Sequence, residues 1–278
     1  MIKKNSQILE NPLQDIDWPY YWKRDLKSLP QHNKKKNWDN IASKFKKWME
    51  KDDYPERLLS KVKTQPNFTV LDIGCGEGVI TVPMAQKVSK VTGIDLSRKM
   101  LEILKEKADK EALNNLECFE GDFSDINLEN MGHYDVIIAS RCLNGIMDIE
   151  KLLKNINQMA DYVYITLWGP TSRDYENEAR DILNKEHPQY PEYIYIYNLL
   201  FQMGIVANVE KLECGTINAY NDLDEAVDRY RWKMGGLTSE ESEILRNHLD
   251  KTLIKKEDGT LENPHEKPDW ILIWWKND

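Results

Sequence analysis

LDIGCGEGVI, residues 71–80, is the stretch on which the reading of this chain turns. An apolar run ends at Ile73, and glycines follow at 74, 76 and 78. Such a turn between a strand and a helix lets backbone approach a ligand closely. The spacing narrows the ligand. The dinucleotide fingerprint G-x-G-x-x-G, started at Gly74, needs a third glycine at 79, where Val79 stands. Asp72 lies two residues before the first glycine. A pyrophosphate favours bare amides at a helix N-terminus and is repelled by a carboxylate beside it. Asp72 and Glu77 suit a cationic or amine-bearing cofactor instead, which counts against a dehydrogenase.

Outward from this loop, apolar segments alternate with amphipathic ones. Strands are expected at Thr69–Ile73, Lys90–Ile94, Leu116–Glu120, Tyr134–Ala139, Asp161–Leu167, Val206–Leu212 and Trp270–Trp275. Helices are expected at Val79–Val88, 98–112 behind a Ser97 cap, Ile149–Met159 and Pro191–Met203, the last stopped by Gly204. Most strands are apolar on both faces, so the fold class is α/β. It is a doubly wound, seven-stranded, mostly parallel sheet with N-terminal helices and a helical insertion before the last strand. Residues 1–36 read as irregular, with Pro12, Pro19 and Pro30 breaking any helix. Trp38, Ile41, Phe45 and Trp48 recur at helical spacing within 37–63. The resulting division is a cap at 1–65, a core at 66–215 plus 267–278, and an insertion at 216–266. The insertion carries helical patterns at 222–233 and 239–252 and is read as a lid or as an oligomer contact, such as that of a homodimer.

Three acids fall at carboxyl ends of strands, where open α/β sheets bind ligands. Asp72 ends the first, Asp95 the second (GIDLS) and Asp122 follows the third (GDF). Asp95 can accept from both hydroxyls of a ribose. Asp122 can accept from an adenine amino group while Phe123 covers the ring. LDIGCGEG, GIDLS, GDF and YDVIIAS, in that order and spacing, resemble the class I S-adenosylmethionine-dependent methyltransferases over about residues 66–215 and the terminal strand. Residues 37–63 ahead of this core resemble the small-molecule branch. The resemblance implies S-adenosylmethionine as cofactor. It implies that Gly74, Cys75 and Gly76 face its methionine part and that Asp72 meets its amino group. By the same likeness Asp95 holds the ribose, Leu96 and Met100 flank the adenine with Asp122 and Phe123, and Ser140 marks the boundary with the acceptor. Methyl transfer from a sulfonium needs orientation and water exclusion more than a fixed set of catalytic residues. Arg141 and Trp168, after the fourth and fifth strands, are the candidates nearest the chemistry. Trp38, Tyr54, Asn144 and Tyr193 join them as acceptor-site candidates, and Trp232 is a further lid candidate. His133 precedes the fourth strand, at the opposite sheet end, and reads as a surface residue.

The chain has 278 residues, 41% hydrophobic, with net charge −9. Residues 1–51 hold 12 Lys/Arg against 6 Asp/Glu, with runs at Lys34–Lys36 and at Lys46, Lys47 and Lys51, which leaves −15 for the remainder. Such a surface argues against a nucleic-acid partner. The basic segment reads as a solvated face or as a lip for an anionic substrate. Cys75, Cys118, Cys142 and Cys214 form no C-x-x-C pair, so no metal site is expected and a reduced, cytoplasmic setting is. No window reaches the ~18 apolar residues of a membrane span. The leading reading is methyl transfer to N, O or S of a small molecule. Transfer to protein or RNA, and non-catalytic cofactor binding on the same fold, stand as alternatives.

Overall fold

The computed structural model describes residues 12–29, 38–40, 42, 44, 52–123, 131–215, 219–267 and 269–277. Ile41, Phe45, Trp48 and the lysine runs lie outside these residues. The central sheet holds β1 (Thr69–Ile73), β2 (Lys90–Asp95), β3 (Leu116–Glu120), β4 (Tyr134–Ser140), β5 (Ala160–Trp168), β6 (Asn208–Leu212) and β10 (Trp270–Lys276). Their order is β3-β2-β1-β4-β5-β10-β6. β10 runs antiparallel to both β5 and β6, and the other pairings are parallel. Strand order therefore reverses between β1 and β4, the point at which such sheets open a crevice. Ile73 lies in register with Ile94 on one side and Ala139 on the other, so the three strands end side by side.

Side chains alternate across the sheet as a pleat requires. Leu71 and Ile73 join Ile94, Ile137, Ala139 and Ile165 on one face, beneath the helices Ile149–Met159 and Tyr193–Gln202. Val70, Val91, Val136, Ile138 and Leu272 fill the other face with Leu58, Ile80 and Met84. A third core belongs to the insertion: Ala226, Tyr230, Leu245 and Leu249 pack on Tyr175 and Ala179 of the helix Asp174–Ile182. The helical patterns of the insertion form Leu223–Lys233 and Ser239–Thr252, the second with a complete capping box at Thr238 and Glu241. Beside them lies a small antiparallel sheet of β7 (Ala219–Tyr220), β8 (Ile254–Lys255) and β9 (Leu261–Glu262), too short to leave a periodic signal. Among the described residues no helix is long and apolar enough to cross a membrane.

Two expectations need correction. Residues 12–28 are not irregular: Pro12–Asp15 is a short α-helix, begun rather than broken by its proline, and Trp18–Ser28 is a longer one. Asp17 caps it by accepting from the Tyr20 amide at 2.9 Å, and Pro19 sits in the first turn, where a missing N–H costs nothing. The helix after the glycine loop is confined to Thr81–Ala85 rather than Val79–Val88, because the glycine turn carries positive φ as far as Gly78.

Trp22 anchors the N-terminal helix. Its ring is fully buried and its indole N–H donates to the Ile146 carbonyl at 2.7 Å. Trp22→Ala is expected to lower unfolding free energy by about 3–5 kcal/mol, the usual range for a buried large aromatic. Urea denaturation checks this; a loss under ~1 kcal/mol would mean that the helix is not part of the cooperative core.

Candidate active site

The turn after β1 is built by backbone. The Gly74 and Cys75 amides both donate to the Ile94 carbonyl, at 2.8 and 3.0 Å. Gly74 has φ +69°, and a β-carbon there would lie 2.4 Å from Cβ of Cys142. Only glycine serves at that position. A β-carbon on Gly76, by contrast, would meet nothing within 4 Å. Asp95 then ties the loop to the end of β2: one carboxylate oxygen accepts from the Gly76 amide at 2.8 Å, the other from the Ser97 amide at 2.8 Å. Burial raises the Asp95 pKa, and these amide bonds oppose the rise. Asp72, buried under the loop, accepts from the Thr81 hydroxyl at 2.6 Å. Its carboxyl is pushed up to about 7, chiefly by burial and further by the Asp95 charge, while Thr81 pulls it down. Glu77, paired in sequence with Asp72 as a partner for a cation, turns away to Lys107 at 3.0 Å.

A cavity of about 770 Å³ opens at these strand ends. All ten cofactor candidates line it: Asp72, Gly74, Cys75, Gly76, Asp95, Leu96, Met100, Asp122, Phe123 and Ser140. Of the acceptor candidates, Trp38, Arg141, Asn144 and Trp168 line it and Tyr54 and Tyr193 do not. Tyr54 is in the core beneath, where its hydroxyl meets Ser140 Oγ at 2.7 Å and Thr166 Oγ1 at 2.5 Å. Burial pushes it up to about 12, so it is not a base at neutral pH. Tyr193 packs against the sheet core at the start of its helix. Trp38 and Trp232 meet edge to face at 5.7 Å and bring the N-terminal segment and the insertion together at the cavity. The thiols of Cys75 and Cys142 are raised well above their ordinary range by burial, so both are neutral packing groups.

Arg141 has left-handed backbone, φ +57°. It pairs with Asp52 at 2.8 Å and lies over the rings of Tyr54 (4.0 Å) and Trp270 (5.3 Å). Trp270 stacks on Trp168 at 3.9 Å, its antiparallel partner in register. Arg173 lies over Trp168 at 5.3 Å and over Tyr190 at 3.4 Å. Rings and guanidiniums thus form one column beside the cavity. Arg173, Arg180, Tyr190, Lys233 and Glu266 also line the cavity and carried no motif in the sequence. Tyr190 stands with Tyr193, Tyr195 and Tyr197 in one tyrosine-rich segment, which is the sequence signal for it.

Comparison with known proteins agrees with this geometry. Residues 70–161 match the family model described as a methyltransferase domain. An uncharacterized protein of Haemophilus influenzae is 30% identical over 249 residues, 87% of this chain and 89% of that one. The chain belongs to the class I S-adenosylmethionine-dependent methyltransferases. The methyltransferase also resembles a ubiquinone biosynthesis O-methyltransferase of Coxiella burnetii, 24% identical over 59% of this chain and 66% of that protein. A 23S rRNA (uracil(1939)-C(5))-methyltransferase of Alcanivorax borkumensis is 32% identical over 39% of this chain and 25% of that one. S-adenosylmethionine is the cofactor of this chain, and the lining fits that group: the acids suit a cationic end, a bare turn leaves room at Gly76, and apolar Leu96, Met100 and Phe123 suit a purine.

The Asp72 carboxyl makes stability depend on pH. Its pKa rises from 3.8 to about 7 on folding. Between those values the folded chain holds a proton that the unfolded chain releases. Its stabilising contribution is complete below the unfolded value and is lost as pH rises through about 7. Urea unfolding without cofactor should therefore show stability falling from about pH 5 to about pH 8, with a shallower fall in Asp72→Asn. Equal slopes in the two proteins would sink the assignment.

Proposed function

We propose that this methyltransferase moves the methyl group to N, O or S of a small molecule held in the cavity. The observation that carries the reading is enclosure. The N-terminal segment supplies Leu26, Leu29 and Trp38, and the insertion supplies Arg229, Trp232 and Lys233, as walls over the strand ends. A volume of about 770 Å³ is of the size that accommodates a nucleoside cofactor and a small acceptor together. A polymer would need an open groove. The net charge of −9 also opposes an RNA phosphate backbone. The insertion then acts as a lid, and residues 1–65, 66–215 with 267–278, and 216–266 serve as cap, cofactor core and lid.

The cofactor brings the activated methyl and its own leaving group. The protein's residues bind and orient. Gly74, Cys75 and Gly76 offer backbone to the methionine part, and Asp72 accepts from its amino group. Asp95 exchanges its present amide partners in part for the ribose hydroxyls. Leu96 and Met100 would flank the adenine, with Phe123 toward its face and Asp122 toward its amino edge. Ser140, held by Tyr54, stands where cofactor and acceptor meet. Arg141 and Trp168 act as positioning groups: both are locked into the ring–guanidinium column, which fixes the acceptor wall and excludes water.

Asp95→Ala should weaken S-adenosylhomocysteine binding about 100-fold, since hydrogen bonds to a charged group contribute about 1.5–3 kcal/mol each. Calorimetric titration reads it, and near-wild-type affinity in a folded variant removes Asp95 from the ribose. Incubation with S-adenosylmethionine and panels of small amines, thiols, phenols and carboxylic acids, read by mass spectrometry, tests the acceptor class. Methylation of RNA or protein with none of the small molecules would overturn it. On the acceptor so found, Arg141→Ala should lower turnover about tenfold while cofactor affinity stays within about twofold.

A further inference from the structure

Arg180 lies in the last turn of the helix Asp174–Ile182 and lines the cavity, yet it is only 3% exposed. Its Nη1 reaches the Glu186 carbonyl at a long 3.4 Å, and its Nε has no hydrogen-bond partner. Among the described residues no carboxylate forms an ion pair with it. A guanidinium cannot shed its proton, and a buried ion with an orphan donor is strongly opposed by the hydration it has lost. Two nearby acids, Glu176 and Glu266, are committed elsewhere, and a third, Glu192, lines the cavity in the field of Arg173. Glu176, one turn earlier, accepts from Arg173 at 3.3 Å and from the Tyr175 hydroxyl at 3.1 Å. Glu266 holds Lys233 at 2.6 Å and accepts from Tyr220. Arg141 has Asp52. The cavity is thus polarised. Asp72, Asp95 and Asp122 line one end, and Arg180 brings to the other a buried positive charge with no ion-paired carboxylate among the described residues.

Tyr190 joins the two guanidiniums of this wall: Arg173 lies on its ring face at 3.4 Å, and its hydroxyl sits in the field of Arg180. We infer that the acceptor carries an oxyanion, carboxylate or phosphate, and that Arg180 together with the edge of Arg173 receives it at the end of the cavity away from the glycine loop. This rests on the small-molecule reading above and narrows it. A bidentate guanidinium contact fixes orientation as well as affinity, so the opposite end of the acceptor is directed toward Ser140 and the cofactor. The acidic end repels the same anion, which rules out the reversed pose.

The test uses the full chain saturated with S-adenosylhomocysteine and titrated calorimetrically with inorganic phosphate, phenyl phosphate, benzoate and neutral benzyl alcohol. At least one anion should bind about tenfold or more tightly than benzyl alcohol, and which anion does so tells carboxylate from phosphate. Arg180→Met should lose about tenfold or more in anion affinity, Arg180→Lys should recover part of it, and both should keep S-adenosylhomocysteine affinity within about twofold. A folded Arg180→Met protein with undiminished anion affinity, or a wild-type chain with no preference for anions, overturns the inference. Should Arg180→Met not fold, wild-type melting in phosphate against chloride of equal ionic strength decides: a higher melting temperature in the preferred anion supports the site, and equal melting refutes it. Failure to bind S-adenosylhomocysteine, or methylation of macromolecules alone, would strike the underlying reading instead.

Discussion

The Ile94 carbonyl accepts from the amides of Gly74 and Cys75, and the Asp95 carboxylate beside it accepts from Gly76 and Ser97. These bonds clamp the ends of β1 and β2 to one another at the place where strand order reverses. They hold three successive backbone positions in a turn that only glycine at 74 permits, because Cys142 of the next strand end fills the space a side chain would take. Everything else at the site is referred to this clamp. Asp72 is buried under it, Phe123 and Met100 flank it, and the cavity opens from it.

Burial at the clamp also sets its electrostatics. Asp72 and Asp95 are raised by desolvation, the Asp95 charge raises Asp72 further, and the Asp39 charge raises Asp95. A ligand with positive charge relieves that repulsion, whereas a phosphate would worsen it. The same physics that excludes a dinucleotide therefore favours a sulfonium cofactor. At the far end the balance is reversed. Arg173 and Lys233 are paired there with Glu176 and Glu266, and Arg180 has no ion-paired carboxylate among the described residues.

The column from Tyr54 through Arg141, Trp270, Trp168 and Arg173 to Tyr190 backs one wall of the cavity with rings and guanidiniums. It draws on six residues spread from 54 to 270, and it exists because β10 enters antiparallel beside β5, setting Trp270 opposite Trp168. Gly169 follows at a point where a β-carbon would lie 2.3 Å from the Asp269 carboxylate, so the corner closes tightly. The insertion between β6 and β10 can then fold back over the strand ends.

What the amino-acid sequence by itself determined is the local part. The run of β1 into D-x-G-x-G, the acids at the ends of three neighbouring strands, and the apolar strands are short-range patterns whose physical requirements are met within a few residues. The cofactor end and the sheet were legible for that reason. Trp18–Ser28 was misread because a proline in a first turn looks, in a string of letters, like a proline that breaks a helix. Tyr54 was misplaced because an aromatic with a hydroxyl reads the same whether it faces a ligand or bonds to Ser140 and Thr166 beneath it. Arg173, Arg180, Lys233 and Glu266 were decided by tertiary structure alone. Their significance is which charge each one finds or lacks, and partners 58 or 33 residues away in the chain, as for Lys233 with Tyr175 and Glu266, leave no spacing to read.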